Sequence, residues 1–519
     1  MTGKRTVHCS RGMLRVGLLL GLAAFNISVQ AGDAASHCLD FSNVSVPDVR
    51  ITRSTPVLPA ARGVGIPAQG AVRVPFCRVE GEIEGDIGFE LWLPDSNHWN
   101  QRLLSGGVGG QAGTFSYPTL LRGVNRGYAS ASTDTGHKVT DTHWLLKGQR
   151  QAENYAERAN HLLAVKTKAL IQSFYGRTTQ HAFFVGCSGG GRQAMTEVQR
   201  YPDDYDGVIA GAPGVNTPEM SARRLWEMQM HTRWGRLMQQ RDWDLVARAS
   251  RQACDGTDGA QDGLVENPAQ CRFDPASLAC NAGTTKDCLS TEQIEAVRTL
   301  HAPLRDENGK TVDRGLPYGI RVSADALPEP FTPGPRYLAV VLFSEGVYRD
   351  PHWDPAQFRI ARDLARVDQV MNLHADNPDV DRFRSKGGKL IMYQGWSDPL
   401  VSAYSTVDYF DALTRRYGAQ GLAQFSKLYM VPGMAHCRGG DVPDQFGGMG
   451  DDAPLIDARH DMLSALESWV LQGQAPREIV ASQLQNATAS WTRPLCPYPQ
   501  QAHYKGEGSV LRAESHVCR

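Results

Sequence analysis

"AFFVGCSGGGRQAM", Ala182–Met195, is the stretch on which the fold turns. Four mostly apolar residues lead in, as a buried strand would, and "RQAMTEVQRYP" leads out with helical character. Between them Gly186-Cys187-Ser188-Gly189-Gly190 fits the G-x-S-x-G pattern of a nucleophile elbow. The residue types follow from the mechanics of such a turn. A sharp strand-to-helix reversal lifts Ser188 above the sheet. Glycines at 186 and 190 let strand and helix approach closely, and the amide of Gly189 at the helix start points towards a substrate oxygen.

Working outward, apolar runs that end at polar turns recur on both sides. "VRVPFCRVEGEI", "IGFELWLP" and "RLLSGG" precede the elbow; "DGVIAGAPG", "GGKLIMYQGWSD" and "FSKLYMVPGMAHC" follow it. "YAERANHLLAVKTKALIQSFYG" carries apolar residues at helical spacing and stops at Gly176, and "ARHDMLSALESWVLQG" reads as a late helix. Strand–helix alternation of this kind predicts a largely parallel sheet with helices on its faces. Residues 216–384 interrupt it with four cysteines, many prolines and an Asp/Gly-rich knot, so they read as an inserted lid within a core made of 32–215 and 385–519.

An elbow of this type also predicts chain order, with an acid and then a histidine following the serine. "YQGWSDPLV" sets Asp398 just past one strand end and "VPGMAHCRGG" sets His436 just past the next, where ligands bind in open α/β sheets. The usual division of labour makes Ser188 the nucleophile, His436 the base and Asp398 the residue that orients the imidazole.

"GCSGGGRQAM", "YPDDYDGVIAGAP", "YQGWSDPLV" and "VPGMAHCRGG" together resemble the tannase/feruloyl esterase family, which includes hydrolases of mono(2-hydroxyethyl) terephthalate. The resemblance runs from about Cys38 to Cys518. It implies an α/β-hydrolase core with a lid, ester hydrolysis, and a family hallmark matched here by Cys187-Ser188, Asp398 and His436-Cys437. It departs from the usual pattern between Arg305 and Ser344, where no acid-binding residue carries over; Arg321, Phe331 and Arg336 are only candidates for the pocket wall.

"SGGVGGQAG", Ser105–Gly113, lacks the lysine of a phosphate-binding loop. Beside an elbow it reads as the other half of an oxyanion hole, with Gly189 as one donor and either Gly109 or Gly110 as the second; the family more often has Asn at the position of Val108. "CDGTDGAQDGLVENPAQC" crowds Asp255, Asp258 and Asp262 within eight residues, a charge density that calls for a cation, and hard oxygen ligands suit Ca²⁺. The resemblance implies a structural calcium loop here, with the carboxylates of those three residues and the carbonyls of Ala260 and Leu264 as ligands. Asp134 and His137 in "STDTGH" precede the serine, against the expected order, and read as structural; Asp203, Asp204 and Asp206 read as surface or capping residues.

The formal net charge of -1 with 21% charged residues argues against nucleic acid as a partner. The start reads as a leader through residue 31: basic residues, the ten-residue apolar run "VGLLLGLAAF", too short to cross a bilayer, then small residues at Val29 and Ala31. Of 11 cysteines Cys9 falls in this leader, and ten remaining in an exported chain read as five disulfides. Spacing alone selects no pairing. Locality suggests Cys38–Cys77, Cys254–Cys271, Cys280–Cys288 and Cys496–Cys518, and the resemblance implies these and Cys187–Cys437. The expected protein is a secreted or periplasmic serine esterase acting on small esters of aromatic, phenolic acids such as feruloyl or galloyl esters. Alternatives are a hydrolase of terephthalate monoesters or of aliphatic or oligomeric esters, or a non-catalytic binding protein on the same scaffold.

Overall fold

The computed structural model describes residue 3 and residues 35–61, 66–281, 286–323, 338–440, 442–486 and 488–519. The expected leader, Gly3 apart, and the pocket candidates Phe331 and Arg336 lie outside the described residues.

Nine strands form one sheet, in the spatial order Val49–Val57, Phe76–Ile83, Ile87–Pro94, Ala129–Thr133, Arg102–Gly106, His181–Cys187, Gly207–Gly211, Lys389–Gly395 and Ser426–Val431. The last six run parallel to one another. The first three are added antiparallel at one edge. The parallel strands are buried over nearly their whole length, which is why "AFFV" and "GVIAG" are continuous apolar or small runs rather than alternating ones. The helices Ala159–Tyr175, Gly189–Arg200 and Met462–Gln472 supply buried apolar residues to the cores on the sheet. The first ends at Gly176 in a left-handed cap (φ 66°), as its glycine predicts.

Three boundaries differ from expectation. Strand Val49–Val57 has no apolar signature because it is the sheet edge, where Arg50 and Arg53 pair with Glu82 and Glu80 of its neighbour. The "VRVPFC" strand starts only at Phe76, after Pro75, which has no N–H to offer a ladder. The late helix starts at Met462 rather than near Ala458, because the Asp461 side chain accepts the Ser464 N–H and caps it there.

Strands Gly207–Gly211 and Lys389–Gly395 are direct parallel neighbours, although a long stretch of chain separates them. Among the described residues that stretch adds no strand to the sheet. It forms the helices Thr217–Met230, Gln240–Cys254 and Thr291–His301 and the short pairing of Leu304–Arg305 with Thr311–Asp313. Five disulfides close Cys38–Cys77, Cys187–Cys437, Cys254–Cys271, Cys280–Cys288 and Cys496–Cys518, the five pairs expected. Among the described residues no helix is long and apolar enough to cross a membrane.

Candidate active site

Ser188 sits between strand His181–Cys187 and helix Gly189–Arg200 with φ 61° and ψ -124°. A side chain in that region costs on the order of 1–3 kcal/mol and persists only where its surroundings enforce it. Here they do. The Ser188 N–H donates to the Gly211 carbonyl at 3.0 Å, and the glycines are sterically required. A methyl on Gly186 would run into the Gly190 carbonyl, and one on Gly191 into the Gly211 carbonyl. As the first residue of the helix, Gly189 has an amide with no intrahelical acceptor.

Asp398 and His436 lie on loops that leave the carboxyl ends of the two following strands, Lys389–Gly395 and Ser426–Val431. His436 Nδ1 lies 2.8 Å from Asp398 Oδ2. Asp398 is buried, and its other oxygen accepts the N–H groups of Leu400 (2.8 Å) and Val401 (2.9 Å). Ser188 and His436 line one cleft of about 150 Å³. The Cys187–Cys437 bond (Cα–Cα 6.1 Å) ties the residue before the serine to the residue after the histidine.

The same cleft is lined by Gly110 and Tyr155, by Met220 and Leu338 from the long stretch outside the sheet, and by Leu400. A methyl on Gly189 would sit 3.1 Å from the Gly110 nitrogen, so Gly110 packs against Gly189, whereas a methyl on Gly109 would meet only Cys187 O and Ser188 Cβ, at 3.8 Å. The glycine loop is clamped by residues with no motif to announce them. Gln193 accepts from the Val108 N–H (3.0 Å) and donates back to its carbonyl (3.2 Å). Tyr155 donates to the Gly110 carbonyl at 2.7 Å, and Trp144 donates to Gln111 at 3.0 Å. Gln193 lies on the elbow helix, so loop and elbow are held in one frame. Buried Val108 makes its polar contacts through its backbone.

The acidic loop departs from a simple ligand cage. Buried Arg493 from the C-terminal strand Thr488–Leu495 pairs with Asp258, with Asp262 and, at 3.0 Å, with Glu266. The remaining Asp258 and Asp262 oxygens accept the N–H groups of Ala260 and Leu264, both at 3.0 Å, and Asp255 accepts from Asp262 and Gly263. Among the described residues no group of three or more His, Cys, Asp or Glu side chains is arranged to hold a metal. Burial, reinforced by the charges of Asp262 and Asp258, pushes the Asp255 carboxyl up, and burial does the same to Glu266. Leu264 packs in the same buried cluster as Cys187, Cys437, Met434 and Val442, and a methyl on Gly433 would be 2.9 Å from its Cδ2.

Other candidates fall elsewhere. Asp134 is buried and accepts the N–H groups of Gly88 and Gly136, both at 2.9 Å. His137 stacks on Trp144 (4.3 Å between centroids), and burial pushes its pKa down to about 4, so it is a neutral ring at physiological pH. Neither lines the cleft with Ser188. Asp203 is exposed and pairs with Arg382, but Asp204 is not a surface residue: it is buried, with Oδ2 2.6 Å from His161 Nδ1, because the turn after the elbow helix folds back under helix Ala159–Tyr175. Arg321 lies 3.4 Å from Asp244 and is absent from the cleft wall.

A mostly parallel sheet with a strained serine at a strand–helix elbow, followed in chain order by an Asp–His pair on the next strand ends, defines the α/β-hydrolase class. A family model described as "Tannase and feruloyl esterase" matches residues 70–330 and 345–519. An uncharacterized esterase of Xanthomonas campestris pv. campestris is 31% identical, over 97% of this chain and 95% of that protein. A probable feruloyl esterase B-1 of Aspergillus terreus is 30% identical, over 93% and 95%. The crystal structure of feruloyl esterase B from Aspergillus oryzae superposes with a TM-score of 0.86 at 26% identity, covering 93% of this chain and all of that one. The chain belongs to the tannase and feruloyl esterase family, and its activity is carboxylic ester hydrolysis on a small-molecule ester.

Proposed function

We propose that this protein is an exported serine esterase that cleaves esters of aromatic, phenolic acids through an acyl-enzyme on Ser188. The observation that carries the mechanism is the 2.8 Å Asp398–His436 pair facing the cleft that also holds the strained Ser188. Ser188 Oγ attacks the ester carbonyl carbon while His436 Nε2 takes its proton. Asp398 keeps the remaining imidazole proton on Nδ1 and balances the imidazolium. The carbonyl oxygen becomes an oxyanion, met by the N–H groups of Gly189 and Gly110. Gly110 is preferred to Gly109 because it lines the cleft beside Gly189. As the tetrahedral species collapses, the C–O bond breaks and the alkoxide leaves with the proton from His436. Water then repeats the sequence on the acyl-enzyme and releases the acid.

The aromatic-acid reading rests on the feruloyl esterase names among the relatives and on a cleft with Tyr155 and apolar Met220, Leu338 and Leu400 on its walls. Export rests on the leader pattern of residues 1–31 and on five disulfides, which persist in oxidising compartments. The stretch 216–384 is the lid, since its described residues add no strand to the sheet and Met220 and Leu338 line the cleft. A calcium ion on Asp255, Asp258, Asp262 and the carbonyls of Ala260 and Leu264 is suggested by the charge: three carboxylates, of Asp258, Asp262 and Glu266, share the single guanidinium of Arg493, and Asp255 in the same loop has backbone N–H donors and no cationic partner among its hydrogen bonds with the described residues. The ion would hold the loop together; no step of the ester chemistry runs through it.

The test is a panel of feruloyl, galloyl, terephthaloyl and short-chain aliphatic esters, run with the native protein and with Ser188→Ala. Highest kcat/KM on feruloyl or galloyl esters, and loss of nearly all turnover in a folded Ser188→Ala, are the expected outcomes. Preference for terephthalate monoesters or aliphatic esters would overturn the substrate class; a Ser188→Ala protein with native turnover would overturn the nucleophile.

A further inference from the structure

The mechanism above uses Asp398 through one oxygen, Oδ2, and that oxygen has a second partner. Gln394 is the penultimate residue of strand Lys389–Gly395, wholly buried. Its Nε2 lies 3.1 Å from Asp398 Oδ2, 3.2 Å from the Gly395 carbonyl and 3.3 Å from the Val401 carbonyl. All three are acceptors. An amide oxygen in that place would meet only oxygen, so the side chain has one possible orientation, nitrogen towards the aspartate. Its oxygen faces the other way and accepts the hydroxyl of Thr406, also wholly buried, at 2.9 Å. Thr406 belongs to helix Ala403–Ala423, which packs beside the strand. The hydroxyl of Thr406 can only donate into that contact, since Gln394 Oε1 carries no hydrogen.

The result is a directed chain from helix to strand to loop. Thr406 donates to Gln394, Gln394 donates to Asp398, and Asp398 accepts from His436. The carboxylate is gripped at both ends, by the Leu400 and Val401 amides on Oδ1 and by Gln394 and His436 on Oδ2. The two backbone donors fix where the carboxyl group is. Gln394 is the side chain that fixes the oxygen bonded to the histidine. It neither gives nor takes a proton in the reaction, and it does not line the cleft.

We infer that Gln394 is a positioning residue for ester hydrolysis, holding Asp398 Oδ2 in line with His436 Nδ1, and that Thr406 sets the orientation of its amide. This rests on the Ser188–His436–Asp398 reading given above. The experiment is a set of cycles in which Gln394→Leu and Thr406→Val are each made alone and in an Asp398→Ala background, with kcat and KM measured on an activated aryl ester and folding checked by near-ultraviolet circular dichroism. Gln394→Leu keeps the volume and removes both N–H groups. It should lower kcat roughly tenfold, the scale found when a partner that orients a functional group is lost, with little change in KM. Thr406→Val should do the same to a smaller extent. In the Asp398→Ala background neither change should cost anything further, because a group that acts through Asp398 has nothing left to orient. A merely structural role would give losses that multiply in the double variants, and that result, or native kcat in a folded Gln394→Leu, would overturn the inference. If Gln394→Leu does not fold, the Thr406→Val cycle decides by the same criterion. Asp398→Ala alone reports on the parent reading: an acid of the triad should cost on the order of 10⁴-fold in turnover, and native activity there would sink the triad rather than the role of Gln394.

Discussion

At the scale of single residues, the molecule keeps several ionisable groups out of water for reasons unconnected with the chemistry, and these set its response to pH. Glu197, on the elbow helix, is fully buried. Burial and then the neighbouring charge of Asp204 push its pKa well up. A carboxyl whose pKa is higher in the folded than in the unfolded chain favours folding while protonated, and this contribution is complete below the unfolded value. It is lost as pH rises through the folded value. Glu197→Gln keeps the shape and removes the ionisation, so its melting temperature relative to the native protein should climb with pH. Thermal melts of the two proteins over a pH series that starts below the ordinary Glu value of about 4.3 and rises from there measure this. An unchanging difference between the two proteins would mean that Glu197 ionises no differently in the folded state. The strained φ of Ser188, held by the Gly211 carbonyl, and the buried amide of Gln394, held between Asp398 and Thr406, belong to the same scale.

Among the elements, the decisive relation is between two loops, the elbow after strand His181–Cys187 and the histidine loop after Ser426–Val431. They are joined by Cys187–Cys437, a link with a sequence separation of 250. In the chain-entropy view, closing so long a loop contributes about 5 kcal/mol. Its larger consequence is geometric, because the bond sits one residue from Ser188 and one from His436. Replacing both cysteines by alanine should lower kcat more than it raises KM, in addition to lowering the melting temperature. Replacing Cys280 and Cys288, neither of which lines the cleft, should lower stability and leave kcat near native. Equal kinetic effects from the two pairs would remove the special status of the first. Peptide mapping of the non-reduced protein checks the pairing directly.

For the molecule as a whole, the long stretch outside the sheet and the C-terminal strands are bound together at the acidic loop. Arg493 reaches back to Asp258, Asp262 and Glu266, and Leu264 from the same loop packs on the histidine loop at Gly433. With calcium in the loop, as proposed, chelation or Asp258→Asn should lower the melting temperature by a few degrees, since about 1 kcal/mol corresponds to about 2–4 °C in a protein of 150–250 residues and to less in a longer one. The Leu264 contact adds a modest fall in kcat. Metal analysis of the purified protein that finds no bound cation, together with a melting curve unmoved by chelator, would leave Arg493 as the sole counter-charge and refute the calcium proposal.

The reading from sequence was strongest where function needs a short, rigid pattern. The elbow pentapeptide, the order serine–aspartate–histidine and the strand-end positions of Asp398 and His436 are local, and local geometry is what residue type controls. The continuous apolar strands were legible for the same reason, since burial on both faces leaves no other composition. The polar edge strand Val49–Val57 was not, because an edge faces water and is stabilised by cross-strand ion pairs rather than by an apolar face. Nor were the partners that make the site work as a unit: Gln193 on the glycine loop, Gln394 on the aspartate, Arg493 on the acidic loop and Asp204 under its helix. Each is an ordinary polar residue whose role depends on which buried donor or acceptor it meets after folding. The sequence by itself determined the elbow, the chain order of Ser188, Asp398 and His436 and the strands that carry them, because each of these motifs is a short run of residues. The tertiary structure alone decided how buried polar groups pair, because that pairing is set by segments up to hundreds of residues apart that only packing brings within hydrogen-bond reach.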